Sequence, residues 1–255
     1  MLAATATRQT RGSRIVAGAG RVLGSLRIDP RSRRIALLVG LLLADLAVFA
    51  HVAEDYLTGD PLVRWDVHFA RWLHDHSNPA LVNVAEVVTY LGNTIFLLVL
   101  VTGLVVALLR RNRVNDALLI GFAFAGAELL NVVLKLAFHR PRPELAFVHL
   151  ETYSFPSGHA TAATAVYTLL AWLAVRRLRL WRLRLVVAFG TALVIATVDF
   201  TRLYLGVHYL SDVLAGTAAG LAWALAAILV ATIDRDVLGM LPQPLQRVVL
   251  LLVPR

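Results

Sequence analysis

Residues 153–160, from Tyr153 to Ala160, read YSFPSGHA. They form a short polar turn between two long apolar runs, one ending at Phe138 and the other continuing to Val175. About 20 apolar residues span a bilayer, so a turn between two such runs joins a pair of membrane-crossing helices at one face. The turn also sets a hydroxyl, a glycine and a histidine at the start of the second helix. Backbone N–H groups there lack intrahelical partners and carry the positive end of the helix dipole, so Ser157, Gly158 and His159 can seat an oxyanion. Gly158 lets a ligand come close to the backbone. Taken alone, the octapeptide reads at least as well as a Pro-Ser cap followed by a surface histidine; the residues around it decide.

Composition sets the class. With 58% hydrophobic residues, 16% charged and a mean hydropathy of +0.71 over 255 residues, the chain reads as an all-α, polytopic membrane helical bundle. The absence of cysteine removes disulfides, thiol catalysis and thiolate metal sites. A net charge of +9 suits nucleic acid, but the arginines fall in short clusters between apolar runs, the pattern of the positive-inside rule. The lipid bilayer, not nucleic acid, is therefore the expected partner.

Residues 1–34 carry eight arginines among Gly, Ser and Thr, which reads as a disordered basic cytoplasmic arm on anionic headgroups. The first span is expected over 35–53; its leader and core are too long for a signal peptide, and no small-x-small cleavage site follows. Residues 54–79 alternate aromatic and charged side chains at helical spacing and are expected along the membrane surface, with Trp65, Phe69 and Trp72 toward lipid. His68, His74 and His76 within this segment read as interfacial histidines rather than metal ligands. The run 81–109 exceeds one span, and its polar part, with Glu86 and Asn93, reads as a short helix before a second span from about Thr94. Four more spans are expected over 117–138, 158–175, 185–204 and 207–232. The result is a six-span domain of residues 35–232 with a short cytoplasmic tail, 233–255.

Arginines precede the first span and recur at 110–113 and 176–184, all on one side of a six-span chain. The positive-inside rule makes that side the cytoplasm, with both termini, and turns the loops after spans three and five outward. Helix parity brings the end of span three, the start of four, the end of five and the start of six to one face. Lys135, the single lysine beside 24 arginines, ends span three there. Snorkelling alone explains a lysine at a helix end; a compact ammonium needed at that point explains why arginine was not used. Glu128 and Asn131 share its helical face, and such a stripe turns into the bundle because an ion facing lipid costs about 3 kcal/mol. Asp45, Glu128 and Asp199 are expected to pair locally with Arg, Lys or Asn rather than to form a proton pathway. Arg142 leaves span three on a proline-stiffened segment that folds it back toward Lys135. In the last cluster Arg202 ends span five, His208 opens span six, and Asp212 follows one helical turn later. That carboxylate can accept one imidazole N–H and leave the other nitrogen nucleophilic. The same pair also suits a metal, but one lysine and two arginines at the same face select an anion, of which phosphate is the simplest.

Lys135 with Arg142 and Pro143, then Pro156, Ser157, Gly158 and His159, then Arg202, His208 and Asp212 resemble the three-part signature of the type 2 phosphatidic acid phosphatase superfamily. The spacings K-x6-RP, PSGH and R-x5-H-x3-D are all met, over roughly 65–232, with a departure at Thr201, where the family usually has serine. The resemblance implies a PAP2/haloperoxidase-like helical core and a phosphohydrolase that uses no metal or other cofactor and passes through a phosphohistidine. On it, His208 is the nucleophile, Asp212 orients it, and His159 is the general acid and then the base. Lys135, Arg142, Ser157, the Gly158 backbone and Arg202 hold the phosphoryl oxygens, as a reaction governed by positioning and charge neutralisation requires. The expected substrate is a lipid phosphate or diphosphate of the plasma membrane, met from the extracytoplasmic side: polyprenyl diphosphate first, then phosphatidate or phosphatidylglycerophosphate. A phosphotransferase of the same fold is the alternative and needs an acceptor pocket that no motif marks. A non-catalytic transporter or lipid-binding relative fits poorly with a complete residue set. The vanadate-dependent haloperoxidases share the motifs but are soluble.

Overall fold

The computed structural model describes residues 29–59, 61–148 and 150–233. The chain divides into two compact units, 1–39 and 40–255, and of the first only the beginning of one helix is described. That helix, α1 (Pro30–Thr58), starts earlier than the expected span. Asp29 accepts from the Arg31 and Ser32 backbone N–H groups at 2.8 and 3.1 Å, so residues 30–34 of the expected disordered arm form a capped first turn. Residues 1–28 and the tail from 234 lie outside the described residues.

No strand occurs among the described residues. After α1 come α2 (Pro61–Asp75), α3 (Pro79–Val88), a 3-10 turn (Thr89–Gly92) and α4 (Thr94–Leu109). Then follow α5 (Val114–Phe138), α6 (Gly158–Val175), α7 (Trp181–Tyr204) and α8 (Leu210–Thr232). Among the described residues five helices are long and apolar enough to cross a membrane, and α3 with α4, bent by 41°, pass the same test only when taken together as one broken segment. The break has a local cause: the Asn93 side chain accepts from Ile95 N and Phe96 N, capping α4 where the α3 ladder stops. The expected short helix before the second span is α3.

In α2, Trp65 and Trp72 are exposed, but Phe69 turns inward onto the cluster of Leu73, Ala85, Tyr204, Leu205 and Val207. Phe69 was expected at the lipid; the helix instead uses it with Leu73 to dock on the bundle. α7 begins at Trp181 rather than 185, its first turns carrying Arg182 and Arg184, the latter reaching back to the Leu178 carbonyl.

The tightest seam lies between α6 and α8. A Cβ at Gly216 would meet Ser157 O at 2.5 Å, and one at Gly220 would meet Thr161 O at 2.3 Å. Small residues thus bring the two backbones together, the usual way membrane helices pack where lipid removes the hydrophobic drive. The acidic side chains inside the spans pair with hydroxyls and not with Arg, Lys or Asn as expected: Asp199 with Thr217 Oγ1 at 2.7 Å, Glu128 with Thr94 Oγ1 at 3.0 Å. Asp45 Oδ2 is buried without a partner among the described residues. A threonine hydroxyl reaches its carboxylate as a neutral donor, where a charged partner would carry a greater desolvation cost.

Candidate active site

The end of α5, the start of α6, the end of α7 and the start of α8 lie together, with the loop segments 139–148 and 150–157 folded onto them. His208 stands in the turn between α7 and α8, 3% exposed. Gly206 makes that turn at φ 66°, and a Cβ on it would meet Leu145 O at 3.1 Å, so only glycine lets the loop backbone lie against it. His208 Nδ1 faces Asp212 Oδ2 at 3.4 Å, and Nε2 faces Arg142 Nη1 at 3.2 Å. A guanidinium only donates, so Nε2 is the bare nitrogen and Nδ1 carries the proton toward Asp212. Burial first, then the charges of Arg202, Arg142 and Lys135, hold the imidazole well below its ordinary pKa. It is neutral, with the Nε2 lone pair turned to the Arg142 guanidinium.

Arg142 is fixed from three sides: Nε donates to Thr152 O at 2.8 Å, Nη1 to Val207 O at 2.7 Å, and Nη2 to Thr152 Oγ1 at 2.8 Å. Burial lowers its pKa, partly offset by Asp212. Lys135 Nζ donates to the Tyr153 carbonyl, which Arg142 Nη2 also reaches at 3.4 Å. The guanidinium and the lysine thus meet at one loop carbonyl, that of Tyr153.

At the start of α6, Ser157 N donates to Asp212 O at 2.9 Å, which ties the PSGH turn to α8. Ser157 Oγ, Asn131 Oδ1 and Arg202 Nε are buried without a partner among the described residues. Gly158 has a packing role beyond ligand access, since its Cβ would lie 2.8 Å from Asn131 Nδ2. Arg202 Nη1 donates to Thr89 Oγ1 at 2.8 Å, and Thr201, at the serine position, turns its hydroxyl to Val198 O at 2.6 Å. His159 and Arg202 share one wall of a cavity of about 490 Å³ whose other wall is the bent α3–α4 segment, with Glu86, Thr89, Tyr90 and Asn93.

Hydrogen bonds thus join Lys135, Arg142, His208, Asp212 and Ser157 into one cluster, with Gly158 at its edge and His159 beside Arg202. His68, His74 and His76 stand apart: His74 stacks on Phe147 and His76 on Trp72. No group of three His, Asp or Glu side chains suited to a metal ion occurs among the described residues. Sequence reasoning missed Arg140 and Asp66. Arg140 Nη1 donates to Asp212 Oδ1 at 2.7 Å, and Nη2 donates to Asp66 Oδ2 at 2.8 Å. The available signal was a second arginine before a proline in HRPRP, two residues from one already chosen.

The PAP2 superfamily family model matches residues 116–235. Phosphatidylglycerophosphatase B of Bacillus subtilis (strain 168) is 38% identical over 145 residues, covering 56% of this chain and 71% of that protein. The crystal structure of a transmembrane PAP2 type phosphatidylglycerolphosphate phosphatase from Bacillus subtilis superposes with a TM-score of 0.64 and 31% identity, over 74% of this chain and 92% of that one.

Proposed function

This chain belongs to the PAP2 superfamily and is an integral-membrane lipid phosphatase; we propose that it removes the terminal phosphate of phosphatidylglycerophosphate through a phosphohistidine on His208. One observation carries the chemistry: a neutral, buried imidazole with its proton toward Asp212 and its bare Nε2 beside Arg142, next to the unmet polar groups at the start of α6. Nε2 attacks phosphorus, forming the N–P bond as the ester P–O bond breaks. His159 gives a proton to the departing alcohol, then takes one from the water that frees phosphate. Lys135, Arg142, Arg202, Ser157 Oγ and the Gly158 N–H neutralise and place the phosphoryl oxygens. The cavity of about 490 Å³ lined by His159 supports this reading, since a headgroup alcohol leaving past His159 could enter it.

The headgroup assignment is supported by the names of both relatives; polyprenyl diphosphate and phosphatidate are the competing substrates. Phosphate release by the purified chain in mixed micelles should rank phosphatidylglycerophosphate first at equal surface concentration. A higher kcat/KM on the diphosphate would replace the substrate and keep the chemistry. Chelation with EDTA should leave the rate unchanged; a loss restored by a divalent ion would redirect His159, His208 and Asp212 to metal binding.

The site is proposed to face the extracytoplasmic side, supported by the arginines at 110–113 and 176–184 on the other. Because the chain has no cysteine, Glu151→Cys should react with an impermeant thiol reagent outside intact cells and Asn112→Cys should not. The reverse pattern would turn the site to the cytoplasm.

A further inference from the structure

The Asp66–Arg140 pair joins a helix outside the bundle core to the carboxylate beside the nucleophile. Asp66 and Asp212 are fully buried and Arg140 is 3% exposed. Arg140 Nη1 donates to Asp212 Oδ1 at 2.7 Å and to Ser211 Oγ at 2.6 Å, while Nη2 donates to Asp66 Oδ2 at 2.8 Å. The other Asp66 oxygen accepts the Ser211 N–H at 2.9 Å. The rings of Tyr56 and Tyr209 lie over the guanidinium, 4.8 and 4.3 Å from its central carbon, and fix its plane. Asp212 therefore has its two oxygens assigned: Oδ1 to Arg140, and Oδ2 to His208 Nδ1 and Tyr209 N.

Anchoring α2 does not require this. Phe69 and Leu73 already dock the helix, and burying two carboxylates on one guanidinium is a costly way to add to that. What the sharing changes is charge. A guanidinium paired with Asp212 alone would neutralise it; shared between two carboxylates, it leaves one net negative charge in the group. Asp212 can present that charge on Oδ2 to the imidazole N–H as attack on phosphorus draws electrons from the ring. Burial opposes the charge of Arg140, but Asp212 and Asp66 more than offset this and raise its pKa, so the guanidinium stays charged.

We propose that Asp66 and Arg140 are positioning residues for the His208–Asp212 pair, which couple the seating of α2 to the alignment and basicity that the nucleophile needs. The proposal rests on the phosphohistidine reading above. The test compares Asp66→Asn, Asp212→Asn and the double variant as full chains in micelles with lipid substrate. Asp66→Asn should lower kcat about 10- to 100-fold, the rate equivalent of one hydrogen bond to a charged group. KM and the inhibition constant of inorganic phosphate should not move, because Lys135, Arg142 and Arg202 are untouched. In the Asp212→Asn background the same substitution should cost nothing further, since it acts through Asp212. An equal loss in both backgrounds, or wild-type kcat in Asp66→Asn, overturns the proposal. Wild-type turnover by Asp212→Asn would instead overturn the reading beneath it. If Asp66→Asn does not fold, Arg140→Lys keeps a positive charge on Asp212 but cannot span both carboxylates. It should show the same fall in kcat at constant KM, and wild-type kcat there overturns the proposal as well.

Discussion

Two neighbouring groups of buried polar atoms at this end of the bundle are treated in opposite ways. Around Asp212, hydrogen bonds meet both carboxylate oxygens, the Arg140 guanidinium and the Asp66 carboxylate. Ser157 Oγ at the start of α6, Asn131 Oδ1 on α5 and Arg202 Nε on α7 have no partner among the described residues. A buried polar group left unmet costs about 1–3 kcal/mol, so three together are a burden on folding that a fully paired neighbourhood does not share. The difference separates scaffold from seat: the paired group fixes geometry, and the unmet group is shaped for something that arrives with acceptors and donors of its own. In the proposed reaction that is a phosphoryl group.

The strongest way to break this contrast is at the point where the two groups meet. His208→Ala should abolish turnover and leave no acid-labile, base-stable label on the chain after reaction with radiolabelled substrate. His159→Ala should retain label formation on a slowed time course. Residual turnover near wild type in His208→Ala would remove the nucleophile and dissolve the boundary.

Smaller changes on the two sides should diverge in kind. Ser157→Ala deletes an unmet hydroxyl, so its melting temperature should hold or rise while kcat/KM drops about 10- to 100-fold, the worth of one hydrogen bond to a charged group. Thr161→Val deletes a hydroxyl that donates to Ser157 O at 2.9 Å. It should cost about 1 kcal/mol of stability with kcat/KM nearly unchanged. If both variants lose stability alike, the unmet atoms are not a seat.

The mildest effect is on pH. Burial and the three neighbouring cations depress the His208 pKa, so below the ordinary value of about 6.5 the imidazole remains neutral and competent. The acid limb of kcat/KM should therefore lie below that value. Arg142→Gln removes one of the cations and should move the limb upward; substrate ionisation is common to both proteins and cancels in the comparison. The same sign applies to folding. The unfolded chain takes up a proton that folded His208 resists, so this histidine's contribution to stability is lost as pH falls below about 6.5. An unmoved limb in Arg142→Gln would show that the cation does not act on His208.

The spans and the motif residues were legible because each leaves a local trace: apolar runs of membrane length, a break at Asn93 marked by polar residues, and fixed spacings from Lys135 to Asp212. Asp66 and Arg140 left none. They lie 74 residues apart, and Asp66 sits in a segment where aromatic and charged residues alternate so closely that no side chain stands out. The inward turn of Phe69 had the same cause, since an amphipathic helix shows that it has two faces but not which ring packs on Leu73. The pairing of Asp199 with Thr217 and of Glu128 with Thr94 was hidden because hydroxyl partners are common and carry no charge signal. Gly158 was read from the sequence as a place for a ligand to approach; what the structure adds is the neighbour Asn131, a contact between helices that spacing along the chain does not report.

The carbonyl of Tyr153, where Lys135 and Arg142 both rest, bears on how the reaction ends. A phosphoryl oxygen that takes these donors replaces hydrogen bonds already made and does not quench bare charge, so much of the attraction cancels. Free phosphate, with no tail in the bilayer to add to its hold, should then be a weak inhibitor and a fast leaver. Turnover can proceed without the enzyme being poisoned by its own product, even where phosphate is abundant; micromolar competition by phosphate would show that the carbonyl does not hold the cations back.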